Sequence, residues 1–336
     1  MNRVRYAVIG LGRIGRLHCE TLRSRIDEAE LAAVCDLSED LARSMGERFR
    51  TVWHSDYSRI LVDPSIDAVI VATPTFTHKS IVLEALKEGK HVFVEKPLAP
   101  SSGEAREIVS AARGSHLKVM VGYQRRFDPA YREAKRRIEE GVIGRPVCFI
   151  DIARDPQPPS GWAADPRLSG GIFADMLTHD FDIARWLLGL EASKVYVSGG
   201  NLFYSDLKVL GDLDFVNIML EFEGGVQGFI QGCRRSVYGY DLRTEILGTD
   251  GTISIGCNFD YSFYYGTSEG IRFHGAPWFE RRFYEAYVEE LRSFTEAILS
   301  DSTPQVTVED GYKALCIADA CWRSFRGKSI VSLNYR

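Results

Sequence analysis

Tyr6-Ala-Val-Ile-Gly10-Leu-Gly-Arg-Ile-Gly15 is the stretch that decides the fold. Its four leading apolar residues make a short buried strand, and glycines at 10, 12 and 15 follow at once. A helical pattern runs on through Leu17 and Leu22, and a second strand, Leu31-Ala-Ala-Val-Cys35, ends in Asp36. Glycines between a strand and a helix let the backbone lie against a pyrophosphate, and the helix N-terminus offers that group its positive end. Asp36 stands roughly 20 residues beyond Gly15, the interval at which a carboxylate holds a ribose 2′-hydroxyl. Gly10, Gly12, Arg13, Ile14, Gly15 and Asp36 are therefore expected to bind a dinucleotide. A carboxylate at 36 repels a 2′-phosphate, and no arginine stands at 37 or 38 to accept one, so NAD is expected over NADP.

The strand–helix alternation continues outward from this stretch. Helices are expected over 37–49, 57–62, 80–88 and 103–113, with strands near 52 and over 68–72, 91–94 and 118–122. That spacing specifies a doubly wound parallel sheet of the Rossmann kind, an α/β domain covering 1–122. In such sheets ligands bind at the carboxyl ends of the strands. Two turns lie there: Thr73-Pro-Thr-Phe-Thr-His78, and Glu95-Lys96-Pro97 after the apolar run His91-Val-Phe-Val94. Thr73, Pro74, His78, Glu95 and Lys96 are accordingly placed with the cofactor.

The texture changes after Gly122. An amphipathic helix ending at Gly141, a strand over 147–153 and a rigid proline-rich loop, Arg154-Asp-Pro-Gln-Pro-Pro-Ser-Gly161, lead to a helix over 170–188. On that helix, at about 100° per residue, Asp175, His179, Asp182 and Trp186 share a narrow polar stripe between apolar flanks. Two readings fit the stripe: a satisfied interior histidine with carboxylate neighbours, or a histidine whose basicity those carboxylates set for proton transfer. Strands are expected over 194–198, 214–222, 226–233, 244–247 and 252–256, with hairpin turns at Glu223-Gly-Gly and Thr249-Asp-Gly. Helices over 281–299 and 308–325 and a strand over 329–333 follow. The second domain, 123–336, is thus an α+β unit with a large, mostly antiparallel open sheet, read as substrate-binding and oligomerising, one face of which helices or another subunit must cover.

Composition narrows the function classes. At 336 residues the chain is long enough for two cores, and its net charge of −5, from 41 basic and 46 acidic residues with no basic block, argues against nucleic acid or an acidic membrane as partner. The N-terminus enters a strand without a long apolar leader, and no stretch approaches membrane-spanning length. Seven scattered cysteines without a Cys-x-x-Cys pair point to reduced thiols in a cytoplasm, not to disulfides or zinc.

Taken together, Gly10-Leu-Gly-Arg-Ile-Gly15, Thr73-Pro-Thr-Phe-Thr-His78, Glu95-Lys96-Pro97 and Gly170-Gly-Ile-Phe-Ala-Asp175 with His179 resemble the GFO/IDH/MocA oxidoreductase family over essentially the whole chain. Arg125-Arg-Phe-Asp-Pro129, Arg154-Asp-Pro156, Gly211-Asp-Leu-Asp214 and Arg235-Ser-Val-Tyr-Gly-Tyr-Asp241 resemble its inositol 2-dehydrogenase branch. Gln124 and Ser160-Gly-Trp-Ala-Ala-Asp165 depart from that pattern and leave the exact polyol open.

The resemblance implies that Lys96, Asp175 and His179 are catalytic. A ring hydroxyl between Lys96 and His179 gives its proton to His179 and its hydride to NAD⁺, Lys96 stabilises the developing alkoxide, and no metal is required. The substrate-binding set is Lys96, Arg125, Arg154, Asp155, Asp175, His179, Tyr238 and Tyr240. It implies a cyclic polyol, myo-inositol oxidised to 2-keto-myo-inositol (scyllo-inosose), in inositol catabolism by a cytoplasmic homo-oligomer, a dimer or homotetramer. The alternatives are another inositol isomer, an aldopyranose, a redox-neutral glycosidase with bound NAD, and a non-catalytic NAD- or sugar-sensing regulator.

Overall fold

The computed structural model describes residues 3–256, 264–268, 270–273 and 276–335. Cys257 lies outside them; the other six cysteines carry free thiols. The chain forms two compact units, Met1–Gln124 with Glu285–Leu315 and Arg125–Tyr284 with Cys316–Arg336.

The first unit contains six parallel strands, β1 (Val4–Ile9), β2 (Ala29–Cys35), β3 (Val52–His54), β4 (Ala68–Val71), β5 (His91–Glu95) and β6 (Val119–Gly122). Their order, β3-β2-β1-β4-β5-β6, is the doubly wound order that the sequence predicts. β4 is buried at every position, as a strand covered on both faces must be, which is why it reads as an unbroken apolar run. The helices between strands are α1 (Arg13–Ser24), α2 (Glu39–Phe49), α3 (Ser58–Leu61), α4 (His78–Lys87) and α5 (Ser102–Arg113). Ser38 caps α2 by accepting the Leu41 amide, with Glu39 and Asp40 in the first turn to complement the helix dipole. Ser101 caps α5 in the same way.

The second unit is built on a seven-stranded sheet. Its strands are β7 (Pro146–Arg154), β8 (Ala192–Gly200), β9 (Phe215–Phe222), β10 (Gln227–Cys233), β11 (Asp241–Gly248) and β12 (Thr252–Ile255). A separate two-stranded hairpin, β13 (Tyr264–Thr267) and β14 (Gly270–Phe273), follows, and β15 (Val331–Ser332) completes the large sheet. The order is β12-β11-β7-β10-β9-β8-β15, antiparallel except between β10 and β7. Both predicted hairpin turns join antiparallel neighbours. Alternation along β9 sends Val216, Ile218, Leu220 and Phe222 inward and Met219 outward.

Helices of this unit are α6 (Pro129–Glu139), α7 (Pro166–Ser169), α8 (Thr178–Leu188), α9 (Ser205–Leu210) and α10 (Phe279–Arg282). Asp128 caps α6 and Pro129 occupies its first turn, both favoured there. The single helix expected over 170–188 is divided. Ile172–Met176 forms a π turn, and α8 starts at Thr178. The cause is Asp212, whose Oδ1 takes the Ile172 amide at 2.9 Å, while the Leu177 amide returns to the Ile172 carbonyl at 3.0 Å.

Two long helices, α11 (Tyr284–Leu299) and α12 (Val308–Gly327), precede β15. Residues from Glu285 on group with the Rossmann unit, which α11 enters with Val288, Leu291 and Phe294 fully buried. Residues from Cys316 on group with the second unit. Among the described residues no helix is long and apolar enough to cross a membrane.

Candidate active site

The strand–turn–helix at β1 and α1 is shaped by close backbone approach. Gly10 has φ +92°, and a Cβ on it would sit 2.6 Å from the Ala72 carbonyl oxygen. A Cβ on Gly15 would stand 1.8 Å from the Gly10 carbonyl oxygen, so the helix can start there only with glycine. Gly12 differs: a Cβ would meet nothing within 4 Å, and no side chain caps the α1 N-terminus. An uncapped helix end beneath open space is what a pyrophosphate needs, and the residues present fit a dinucleotide. Arg13 is exposed and Ile14 half-buried at this end.

At the end of β2, Asp36 accepts the Leu11 amide (2.8 Å) and the Ser38 amide (3.0 Å), one on each carboxylate oxygen. A carboxylate has about four lone-pair sites, so two hydroxyls can still be accepted. Leu37 beside it is 90% exposed and offers no cation.

The turns after β4 and β5 are tied together by His78. It is 1% exposed, with Nδ1 2.9 Å from the Pro97 carbonyl and Nε2 2.9 Å from the Thr73 carbonyl. Burial lowers its pKa, so near neutral pH the ring is uncharged and one of these contacts carries its single N–H. The Thr73 hydroxyl meets that of Thr77 at 2.7 Å, and Pro74 is half-buried beside it. Lys96 is half-buried and its bond to Pro97 is cis. Glu95 is buried; its Oε1 accepts from His18 Nε2 at 2.6 Å, and its Oε2 accepts the Lys96 amide at 3.3 Å. With Glu290, these two residues bring their donor atoms within 4.8 Å of one another, close enough to hold a cation in principle. The His18–Glu95 pair, however, already satisfies itself by direct hydrogen bonding.

In the second unit, His179 (8% exposed) lies in the first turn of α8 and Asp175 in the π turn before it. Asp175 Oδ2 is 3.4 Å from Arg234 Nη1, and Arg234 Nη2 pairs with Asp212 at 3.0 Å. The remaining carboxylates of α8 are structural anchors. Arg125 pairs with Asp180 at 2.8 Å and reaches the Tyr240 hydroxyl at 3.4 Å. Arg126 grips Asp182 through two bonds, 2.8 and 2.5 Å, and its guanidinium lies over the Trp186 ring. The polar stripe thus divides in role: Asp182 and Trp186 engage Arg126, while Asp175 and His179 stand at the N-terminal end. Asp151, inward-facing on β7, accepts from the Thr244 hydroxyl, which also meets Tyr131. Burial and the nearby Asp180 charge raise the Asp151 pKa well above the usual carboxylate range.

Of the other predicted substrate residues, Arg154 is half-buried and bound to Gln231 (2.6 Å), Tyr238 (2.6 Å) and Asp241 (3.3 Å). Asp155 is half-buried, Tyr238 is half exposed and Tyr240 is buried. Sequence reasoning passed over His18, Glu290, Asp151 and Arg234, and met Asp212 only within the Gly211-Asp-Leu-Asp214 motif. For Asp151 a signal existed: on β7 it falls in the inward register of Phe149 and Ala153.

Residues 4–123 match the family described as "Oxidoreductase family, NAD-binding Rossmann fold", and residues 131–254 match the "GFO/IDH/MocA C-terminal domain". The chain belongs to the GFO/IDH/MocA oxidoreductase family. It is 39% identical to the scyllo-inositol 2-dehydrogenase (NAD(+)) of Bacillus subtilis, covering 100% of this chain and 98% of that one. It is 36% identical to the myo-inositol 2-dehydrogenase of Thermotoga maritima, covering 98% and 99%. The crystal structure of scyllo-inositol dehydrogenase from Lactobacillus casei with bound NAD(H) and scyllo-inositol superposes with a TM-score of 0.91 at 29% identity, covering 98% of this chain and 99% of that one. The first unit of this GFO/IDH/MocA protein is an NAD-binding domain, and the chain is an NAD-dependent oxidoreductase acting on a CH–OH group.

Proposed function

We propose that the chain is an inositol 2-dehydrogenase, which oxidises one ring hydroxyl of an inositol to the ketone. The observation that carries this reading is full-length similarity to two inositol 2-dehydrogenases. NAD⁺, when bound, accepts the hydride from the carbinol carbon. His179 takes the hydroxyl proton on its imidazole, the carbon–oxygen bond becomes a carbonyl, and the proton leaves to solvent as the ring is reset. Lys96 places its positive charge on the oxygen while that oxygen is anionic, and Asp175, held by Arg234, takes hydrogen bonds from ring hydroxyls. A ligand with a hydroxyl on every ring carbon suits such donors and acceptors. An apolar alcohol leaves them unpaired, at about 1–3 kcal/mol for each buried group.

Oxidation removes the stereocentre, so myo-inositol at its axial hydroxyl and scyllo-inositol at an equatorial one give the same ketone, 2-keto-myo-inositol. The open matter is the face from which hydride leaves, and we place myo-inositol first. The deciding experiment runs both ways: kcat/KM with NAD⁺ for myo-inositol, scyllo-inositol, D-glucose and a deoxy-inositol, then the isomer formed from the ketone and NADH. Myo-inositol as the reduction product supports the axial assignment; scyllo-inositol reverses it. An aldose tenfold better than either inositol overturns the inositol reading, and NAD binding without turnover leaves a sensor.

We further infer that the enzyme works as a homo-oligomer, up to a tetramer, in the cytoplasm. What supports this is the outward register of the large sheet, where Tyr196, Met219 and Leu247 are 41–47% exposed on three strands, an apolar face that a second copy would cover. Light scattering on the purified protein tests it, and a monomer at micromolar concentration rejects it.

A further inference from the structure

In the second unit two buried carboxyl groups lie within hydrogen-bonding reach of each other. Asp151 on β7 and Asp180 on α8 are both 0% exposed, and Arg125, 3% exposed, is the cation beside them. Asp180 Oδ1 accepts from Arg125 Nη1 at 2.8 Å, whereas the same nitrogen stands 4.0 Å from Asp151 Oδ2. Asp151 Oδ1 accepts from the Thr244 hydroxyl, whose oxygen meets the Tyr131 hydroxyl at 2.8 Å. That leaves Oδ2 of each aspartate buried and without any other partner.

We propose that Asp151 and Asp180 share one proton, carried on Asp151 Oδ2 and donated to Asp180, and that this pair positions Arg125 and, through it, Tyr240 for the inositol ring. The proposal rests on the readings of inositol as the substrate and of Tyr240 as one of its contacts. With both carboxyls ionised, a dry site would hold two anions against one cation; a single proton brings it to neutrality. The proton belongs on Asp151, because Asp180 has the guanidinium and is the better anion. It belongs on Oδ2, because Oδ1 already takes the Thr244 hydrogen. Every hydrogen in the chain then has one direction: Tyr131 to Thr244, Thr244 to Asp151, Asp151 to Asp180, and Arg125 to Asp180 from the other side. Burial, followed by the Asp180 charge, raises the Asp151 pKa in the sense this arrangement requires.

The other end of the chain is Tyr240. Arg125 Nη2 donates to its hydroxyl oxygen at 3.4 Å, and among the described residues nothing accepts the hydroxyl hydrogen. Burial pushes the Tyr240 pKa up to about 12, so that hydrogen is present at neutral pH. A neutral donor whose oxygen is held by a fixed guanidinium suits a ring hydroxyl. The groups packed around the pair are few. At the register of Asp151, β10 presents Ile230 and β11 presents Thr244. From α6 comes Tyr131, kept neutral by burial; Asp155 acts on Tyr240, and the Arg125 guanidinium lies over the Phe283 ring. Asp151 thus acts through Asp180 and Arg125 and is a positioning residue.

The test uses the full-length enzyme with NAD⁺ and inositol. Asp151→Asn keeps a donor toward Asp180 and an acceptor toward Thr244, so its stability in urea and its KM for inositol should stay near the wild-type values. Asp151→Ala keeps neither, and its KM should rise about tenfold with the Kd for NAD unchanged. A merely structural residue would lower the yield of folded enzyme and leave KM where it was. Infrared difference spectra at neutral pH, wild type minus Asp151→Asn, should show the carbonyl stretch of a protonated carboxylic acid, shifted in D2O and still present in Glu290→Gln. An Asp151→Asn that unfolds or has a raised KM, or a difference spectrum without the band, would overturn the proposal. So would an Asp151→Ala with wild-type KM where Tyr240→Phe raises it. If Asp151→Ala does not fold, Asp151→Asn and the band decide. An unchanged KM in Tyr240→Phe would instead overturn the reading of Tyr240, and the absence of turnover on any inositol would overturn the reading of the substrate. In both cases the band still decides the shared proton.

Discussion

Arg234 reaches Asp175 at 3.4 Å while its other terminal nitrogen stands 3.0 Å from Asp212, and the guanidinium is only 1% exposed. One cation thus spans the π turn, since Asp212 also takes the Ile172 amide that begins it. Arg234→Met should leave Asp212 as an uncompensated buried charge and lower stability by roughly 3–5 kcal/mol. Urea unfolding measures that loss. Kinetics should show a raised KM for inositol, because Asp175 loses its orientation, with the Kd for NAD unchanged. A variant with wild-type stability and KM would show that the pair does nothing for the site.

Cofactor choice is the second expectation. Asp36→Ala combined with Leu37→Arg exchanges an acceptor for a cation at the end of β2, where Leu37 is already 90% exposed. The double variant should prefer NADP by steady-state kcat/KM. A wild type that already prefers NADP would refute the role given to Asp36.

Turnover should depend on groups in both units. Lys96→Ala and His179→Ala are each expected to lower kcat by roughly 10²-fold or more, the scale of electrostatic and general-base contributions. NAD affinity of His179→Ala, measured by calorimetry, should survive, because residue 179 lies outside the NAD-binding unit. Near-normal turnover in that variant would return His179 to the satisfied-interior reading.

Glu290 also makes stability depend on pH in a known direction. Its ordinary pKa is 4.5, and the folded state raises it well above that. Between the two values the unfolded chain binds fewer protons than the folded one, so stability falls as pH rises. The slope reaches about 1.4 kcal/mol per pH unit while the states differ by one proton. Glu290→Gln has no proton to lose in either state. Its stability relative to wild type should therefore rise from about pH 5 to about pH 8 in urea titrations. Parallel stability curves would mean that Glu290 is ionised in the folded protein.

What the sequence made legible follows from how local each signal is. The β1–Gly10–α1–Asp36 unit could be read because its apolar run, its glycine spacing and its carboxylate all fall within residues 6–36, and the continuous apolar strands announced a parallel sheet. Asp175 and His179 stood out by helical spacing, although the spacing did not show the π turn, since Asp212 lies 40 positions away. Asp182 looked equivalent to Asp175 in the stripe, and only the fold reveals that Arg126 claims it with two hydrogen bonds. Glu290 was hidden most deeply. It falls within the helix expected over 281–299, and nothing local says that His18 lies close by, far away in sequence. Charge buried by long-range pairing leaves no periodicity to find.

The placement of α11 has a consequence for how the protein is made. The NAD-binding sheet is synthesised early, but the helix that supplies Thr295 to Tyr6 and packs Phe294 against Phe93 emerges from the ribosome only after residues 125–284 of the second unit. Until then Tyr6, His18 and Phe93 lack their partners, and the nascent Rossmann half carries an open apolar wound. Residues 1–124 expressed alone should therefore aggregate or require chaperone holding, and co-expression of a 285–315 peptide should rescue their solubility.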